Sequence, residues 1–479
     1  MRRIFASLAT VAAVTLAGCN LDLTNPNNPT LGGALSNPRA ATSRQIVGVM
    51  SQYRVNRTDM IRAFGSFGRE TYYMFITDGR FITGPLRDWR QNNSFDAGTQ
   101  WGGRYGNYRN AYAALALINA TTALTDAEKA GARGVLKTFI ALDLLHVIEA
   151  RGPIGAVVDM SDDVNEVFPL VSQDSAYKFI SAKLDEANTD LAAAGTTFYF
   201  PIYSGFGVGV ARTPAGFAQF NRAIKARVEV KRGSLGCATC YTTALTALGG
   251  TWVPTTANFT AANRDDGVYT IYSTAAGDAP NTVAFTGSVG SALFVHPGID
   301  SIAGVATDDR YRRKISTGCP ASSPRSEVGV TSSHRPCTYG ATNTSIPIVR
   351  NEELVLLRAE AEWFTGNTAG AIADLAAVRA QSGASNGGTA AVAFAAPANN
   401  ADFTTELLLQ RTLSLYQEAQ RFPDYRRFGR LAQLGTLAQD VANGFTVATA
   451  SVLPNQECDA RARVGAAAPM SCPGGAAVP

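Results

Sequence analysis

The sequence predicts a mainly α protein. Tetratricopeptide-like helix pairs form a right-handed helical scaffold, and a loop-rich, disulfide-pinned insertion carries short strands. Three observations support this. Apolar residues recur at helical spacing on both sides of the insertion. Residues 350–383 make one helix–turn–helix of about 34 residues, the size of one tetratricopeptide repeat. Between them, residues 236–345 lose the period and turn to Gly, Thr, Ser and Ala.

The chain opens with Arg2 and Arg3, a short apolar core from Ile4 to Leu16, and "LAGC" ending at Cys19. This has the layout of a secretory signal and is too short to span a bilayer. "LAGC" looks like a bacterial lipobox, so residues 1–18 are expected to be removed and Cys19 to carry lipid. Residues 19–38, rich in Asn, Pro and Gly, read as a lipid-anchored tether. A helical N-terminal part follows over 39–235, then the insertion at 236–345, C-terminal helical pairs at 346–440 and a tail at 441–479.

Within the N-terminal part, 40–55 and 58–78 read as helices, the second ending in "ETYYMF". A Gly- and Asn-rich loop covers 79–104. Residues 105–123 and a helix reaching Arg151 make a hairpin, with Thr125 and Glu128 at capping-box spacing and "RGP" as the stop. Residues 173–193 pair with a helix opened by Thr213-Pro214 and closed by Gly233. The insertion reads as irregular, with short strands such as "GVYTIYS". In 350–383, Leu354, Leu357, Ala361 and Phe364 line one helix, and Ile372, Leu375 and Val378 the next. A helix over 404–420 precedes "QEAQRFPDYRRFGRL".

Seven cysteines less Cys19 leave six in an exported, oxidising setting. Cys237 with Cys240, Cys319 with Cys337 and Cys458 with Cys472 is the simplest pairing of fifteen connectivities. A zinc site at "CATC" lacks a second CxxC and a nearby His. Formal charge is +4, and about +2 without the signal arginines, too weak to imply a nucleic-acid partner. No metal site, cofactor motif or nucleophile elbow is present in the sequence. His146 lies on an apolar helix face and reads as a satisfied core residue.

Four segments resemble one family. "GRYGNYRNAYAALALIN", "RGPIGAVVD", "IPIVRNEELVLLRAEAEWFTGNTAGAIADLAAVRAQSG" and the terminal stretch are similar, in that order, to SusD/RagB-type outer-membrane nutrient-binding lipoproteins. Arg411, Glu418, Arg421, Asp424, Arg427 and Phe428 fall on the terminal signature. Arg151 stands where the second segment usually has Tyr, and Ser414, Ala419 and Phe428 depart from the terminal signature's usual acid, Gly and Trp. The resemblance implies a non-catalytic surface protein, lipid-anchored to the outer membrane. It would capture glycans or other oligomeric nutrients, peptides included, for a SusC-type TonB-dependent transporter. A secreted glycan-active hydrolase and a helical-repeat scaffold are the competing readings.

Arg411, Glu418, Arg421, Asp424 and Arg427 alternate in sign at helical spacing and read as a structural ion-pair seam. For a ligand, exposed aromatics edged by polar groups are wanted. Trp89, between Asp88 and Arg90, with Tyr72, Tyr73 and Trp252, are the expected contacts. Trp101 and Trp363 read as packing residues.

Overall fold

The computed structural model describes residues 37–88, 100–163, 165–207, 211–466 and 468–472. Cys19, the tether and Trp89 lie outside the described residues. Helix α1 (Pro38–Phe67) starts at Asn37, whose side chain accepts from the Ala40 N–H, with proline in its first turn. Two helices were expected here, but one runs through. No Gly or Pro interrupts residues 55–58, and the Pro347 and Glu418 carbonyls accept from the Arg57 guanidinium in the interior. After Gly68, Arg69 turns the chain at a φ of 53°. The expected helical end "TYY" is instead strand β1 (Thr71–Tyr73). Tertiary pairing with a distant segment, antiparallel, overrides local propensity there.

The 79–104 segment contains a short helix, α2 (Arg80–Leu86), with Pro85 near its end. Helices α3 (Gly102–Ala120) and α4 (Asp126–Arg151) form the first hairpin. The Thr125–Glu128 capping box has both of its hydrogen bonds. Gly152 ends α4 at a φ of 47°, and Gly155 follows at 93°. A Cβ on Gly155 would stand 2.2 Å from the Val171 carbonyl oxygen, so the turn requires glycine. Helix α5 (Gln173–Ala192) packs on α4, and α6 (Pro214–Ser234), capped by Thr213, packs on α5. Phe139, Phe217 and Phe220 are fully buried between them. Each such side chain stabilises by about 1.5–3 kcal/mol.

The insertion is less irregular than its composition indicates. It opens with helix α7 (Ala238–Gly249), which packs on α6 through Tyr241, Ala244 and Leu248. Strands follow: β2 (Gly267–Thr270) and β3 (Leu293–Val295), the partner of β1. Short helices α8 (Pro297–Asp300) and α9 (Asp309–Lys314) precede the hairpin β4 (Arg325–Glu327) and β5 (Val330–Ser332). Strand β6 (Ile346–Arg350) pairs with β2 and runs straight into helix α10 (Asn351–Phe364). Disulfides join Cys237 to Cys240, Cys319 to Cys337 and Cys458 to Cys472.

Helix α10 and α11 (Thr368–Val378) form the tetratricopeptide-sized pair, and α10 also packs on α7 and on α12 (Asn400–Ser414). Trp363 stacks on Phe403 with centroids 4.4 Å apart. The expected 404–420 helix stops at Ser414, because Gln417 and Ala419 take φ of 61° and 62°. Helices α13 (Arg421–Arg427), α14 (Ala438–Ala442) and α15 (Asn455–Arg463) complete the chain. No helix among the described residues is long and apolar enough to cross a membrane.

Candidate functional site

Strand β1 excludes Tyr72 and Tyr73 as exposed platforms. Neighbouring strand residues point to opposite faces, and here both faces are covered. Tyr72 has no exposed surface. Its hydroxyl donates to Asp440, which also accepts from Arg69 at 2.9 Å and faces His296 Nε2 at 3.1 Å. Burial, aided by Arg69 and Arg421 and opposed by Asp440, lowers His296 to about 4, and the bonds to Asp440 fix α14 against β1 and β3. Tyr73 packs with Phe75 and Phe81. Trp252 is half-buried against the core, its indole N–H donating to the Asp266 carbonyl at 3.4 Å. The structure does not bring these three together. His146 is buried and stacked on Tyr53, but its Nδ1 has no hydrogen-bond partner, so it is a core residue without being a satisfied one.

The terminal seam is internal, with altered pairing. Asp424 accepts from Arg411 at 2.6 Å and from Arg427 at 2.9 Å, and Arg427 also grips Glu360 of α10 at 2.7 Å. Burial opposes the Asp424 charge; Arg411 and Arg427 outweigh it and hold the carboxyl below its usual range. Glu418 does not share a helix face with Arg411 or pair with Arg421. The left-handed turn swings it to Arg350, at 2.8 Å. Arg421 donates to the Arg69 carbonyl at 2.7 Å and lies over the Tyr425 ring.

An open cleft of about 290 Å³ lies where the N-terminal end of α3, the segment after α4 and helix α15 meet. Its aromatic wall is Trp101, Tyr105 and Phe168, and its polar edge includes Arg109, Asp159 and Glu166. Trp101 is expected to be packing, and it does pack: it is 5% exposed, with Arg151 over its ring and Tyr105 edge-on at 4.6 Å. It is also tethered. Its indole N–H donates to Glu457 at 3.2 Å, and Glu457 accepts from Arg461 at 2.6 Å. The Cys458–Cys472 disulfide adjoins this pair. Tyr105 accepts from the Val157 N–H at 2.7 Å and lies 3.0 Å from its carbonyl, fixing the 157–168 segment.

A rigid aromatic wall edged by charged groups suits a ligand with apolar faces and hydroxyls. Sequence reasoning missed Phe168, Arg109, Asp159 and Glu166, although Trp101 and Tyr105 four apart were a signal. Glycoside hydrolysis uses an acid of raised pKa beside its substrate. Burial raises Glu70 to about 8 and Asp143 to about 6, but both are enclosed and neither lines the cleft.

Residues 328–460 match the model of the SusD family. No curated protein matches the sequence. A SusD superfamily protein from Bacteroides vulgatus is 14% identical, with a TM-score of 0.63 over 88% of this chain and 97% of that one. A SusD homolog from Bacteroides thetaiotaomicron is 14% identical, with a TM-score of 0.62 over 88% and 96%. A laminarin-binding SusD-like protein is 16% identical, with a TM-score of 0.56 over 88% and 97%. These likenesses are of fold. The matched stretch contains the helix pair α10–α11 and the Arg411–Asp424–Arg427–Glu360 group that joins it to α13, so over these residues the chain is similar to the SusD family.

Proposed function

We propose that the protein is a non-catalytic binding lipoprotein. It captures a glycan or other oligomeric nutrient at the outer-membrane surface and passes it to a SusC-type TonB-dependent transporter. The observation that carries this reading is the cleft of Trp101, Tyr105 and Phe168 edged by Arg109, Asp159 and Glu166, on a SusD-family scaffold. The tethered Tyr105 phenol, backed by the buried Trp101 indole, and the part-exposed Phe168 ring have little entropy left to lose, which favours ligands with apolar C–H faces such as sugar rings. Trp89, the contact expected from sequence, is proposed to reach the same ligand; Trp252 is given no such role. A fold neighbour is named for binding laminarin, which makes soluble β-glucan a first member of the test panel.

The experiment is titration of soluble polysaccharides, oligosaccharides and peptides into wild type, Phe168→Ala and Trp89→Ala. Saturable binding of one panel member by wild type is expected. Losing a stacked ring should weaken it by about two- to ten-fold, since aromatic contacts contribute about 0.5–1.5 kcal/mol beyond area burial. Folded variants that keep full affinity would remove the site from this cleft.

A further inference from the structure

A second cleft, of about 270 Å³, opens on another face, between α9, β2, the 338–347 segment and the turn joining α12 to α13. Its polar groups are unevenly used. Arg350 is saturated. It gives Nε and Nη2 to Glu418 at 3.1 and 2.8 Å, and Nη1 to Asp265 at 3.0 Å and to Glu352. The acids lining the cleft, Asp265 and Glu418, are therefore already committed to a cation.

The donors are not. The Arg313 guanidinium makes no ion pair or hydrogen bond among the described residues, and its Nε is buried without an acceptor. Lys314 donates to the Leu413 and Ser414 carbonyls at 3.1 and 2.6 Å. An ammonium has three N–H groups, so one remains. The Thr338 hydroxyl is buried with no partner. The Tyr269 and Tyr339 hydroxyls donate away, to the Asp265 and Gln417 carbonyls. What the space offers is a surplus of donors, a half-buried Tyr269 ring as an apolar wall, and the hydroxyl residues Thr344 and Ser345 at its rim. An unmatched buried donor is costly, and a guanidinium matches a carboxylate in geometry.

The cleft's volume lies just under the about 300 Å³ at which pockets for drug-sized ligands begin, so one ring fits rather than an oligomer. We infer that this cleft binds the carboxylate of an acidic monosaccharide unit, with Arg313 as its main partner and Lys314 and Thr338 completing the grip. The site is independent of the aromatic cleft and goes beyond the proposed capture function. It is also held by a disulfide. The Cys337 N–H donates to the Lys314 carbonyl at 2.8 Å, which seats Thr338, the next residue, against the end of α9, and Cys319–Cys337 closes that loop.

The test is calorimetric titration of the mature-length protein with sodium glucuronate, sodium galacturonate, glucose, sodium acetate and a C-terminal dipeptide. Saturable binding of one uronate is expected, with neither glucose nor acetate matching it. Arg313→Gln should weaken it about ten- to a hundred-fold, as expected for a charge-assisted bond, with an unchanged melt because that side chain holds nothing in place. Thr338→Val, nearly isosteric, should weaken it less, and so should removal of the Cys319–Cys337 disulfide. Panel binding at the aromatic cleft should be unaltered in Arg313→Gln, which separates failure of this site from failure of that one. Uronate binding that is absent, or equal in wild type and Arg313→Gln, would overturn the inference. So would acetate, glucose or the dipeptide binding as tightly as the uronate.

Discussion

Glu70 follows the turn at Arg69 and is 1% exposed. Burial drives its carboxyl up to about 8; Arg421, the Gln417 backbone and Lys314 oppose this, and Glu418 adds to it. Folded-state affinity for the proton thus exceeds that of the unfolded chain, whose value is near 4.5. Its contribution is fully favourable below about pH 4.5 and is lost as pH rises to about 8. Glu70→Gln cannot ionise. Its stability relative to wild type should climb across that window by about 1–3 kcal/mol, as measured by urea unfolding at stepped pH. A flat difference would contradict the buried, protonated state. At Arg427, two carboxylates depend on one guanidinium. Arg427→Ala should cost about 3–5 kcal/mol by stranding buried Glu360 and loosening Asp424. Arg421→Ala, which loses a carbonyl bond, should cost about 1 kcal/mol in the same denaturation measurement. The Asp424–Arg427 pair was legible because i,i+3 spacing is local. The Glu418–Arg350 pair was not, because it depends on left-handed backbone at Gln417 and Ala419, residues that rarely adopt it.

Elements with a strong local period were read correctly in kind. The capping box placed α4, and Thr213-Pro214 placed α6. The errors have identifiable causes. "TYY" became a strand through pairing with β3, far along the chain, and no local pattern announces such a partner. Helix α7 was hidden by its Thr and Ala content, although Tyr241, Ala244 and Leu248 already marked one helical face. The disulfides differ in what they enclose. Cys319–Cys337 and Cys458–Cys472 span 18 and 14 residues, and Cys237–Cys240 only 3. Loop-closure entropy in the unfolded chain assigns about 3 kcal/mol to a loop of some 15 residues and less to a short one. Paired Cys→Ser replacements should therefore lower the melting temperature most for the two longer loops and least for Cys237–Cys240. The reverse order, read by calorimetry, would contradict that account.

Across the whole molecule, a buried ionic seam joins the N-terminal helices to the C-terminal pairs. Lys231 of α6 pairs with Glu149 of α4, Arg227 of α6 with Glu353 of α10 at 2.6 Å, and Arg427 of α13 with Glu360 of α10. Such pairs register the layers more than they stabilise them. This internal use of charge fits a weak formal net charge, and it explains why dense arginine in the terminal stretch is not a grip for an anion. The helical scaffold was legible in the sequence, because its period repeats within each element. Neither cleft was, because each gathers residues from segments far apart: Trp101, Phe168 and Glu457 in one, Tyr269, Arg313 and Glu418 in the other. Anchoring is a property of the whole chain, and Cys19→Ala should shift the protein from the outer-membrane fraction to the soluble one. A variant still in the membrane at wild-type size would contradict the lipoprotein reading. Hand-over to a transporter is the central claim, and native purification from outer membranes in mild detergent tests it most directly. The account predicts a β-barrel TonB-dependent transporter in stoichiometric amount with the lipoprotein, and bound panel glycan recovered at its original chain length. A lipoprotein recovered without any barrel, or glycan shortened on contact with it, would contradict it.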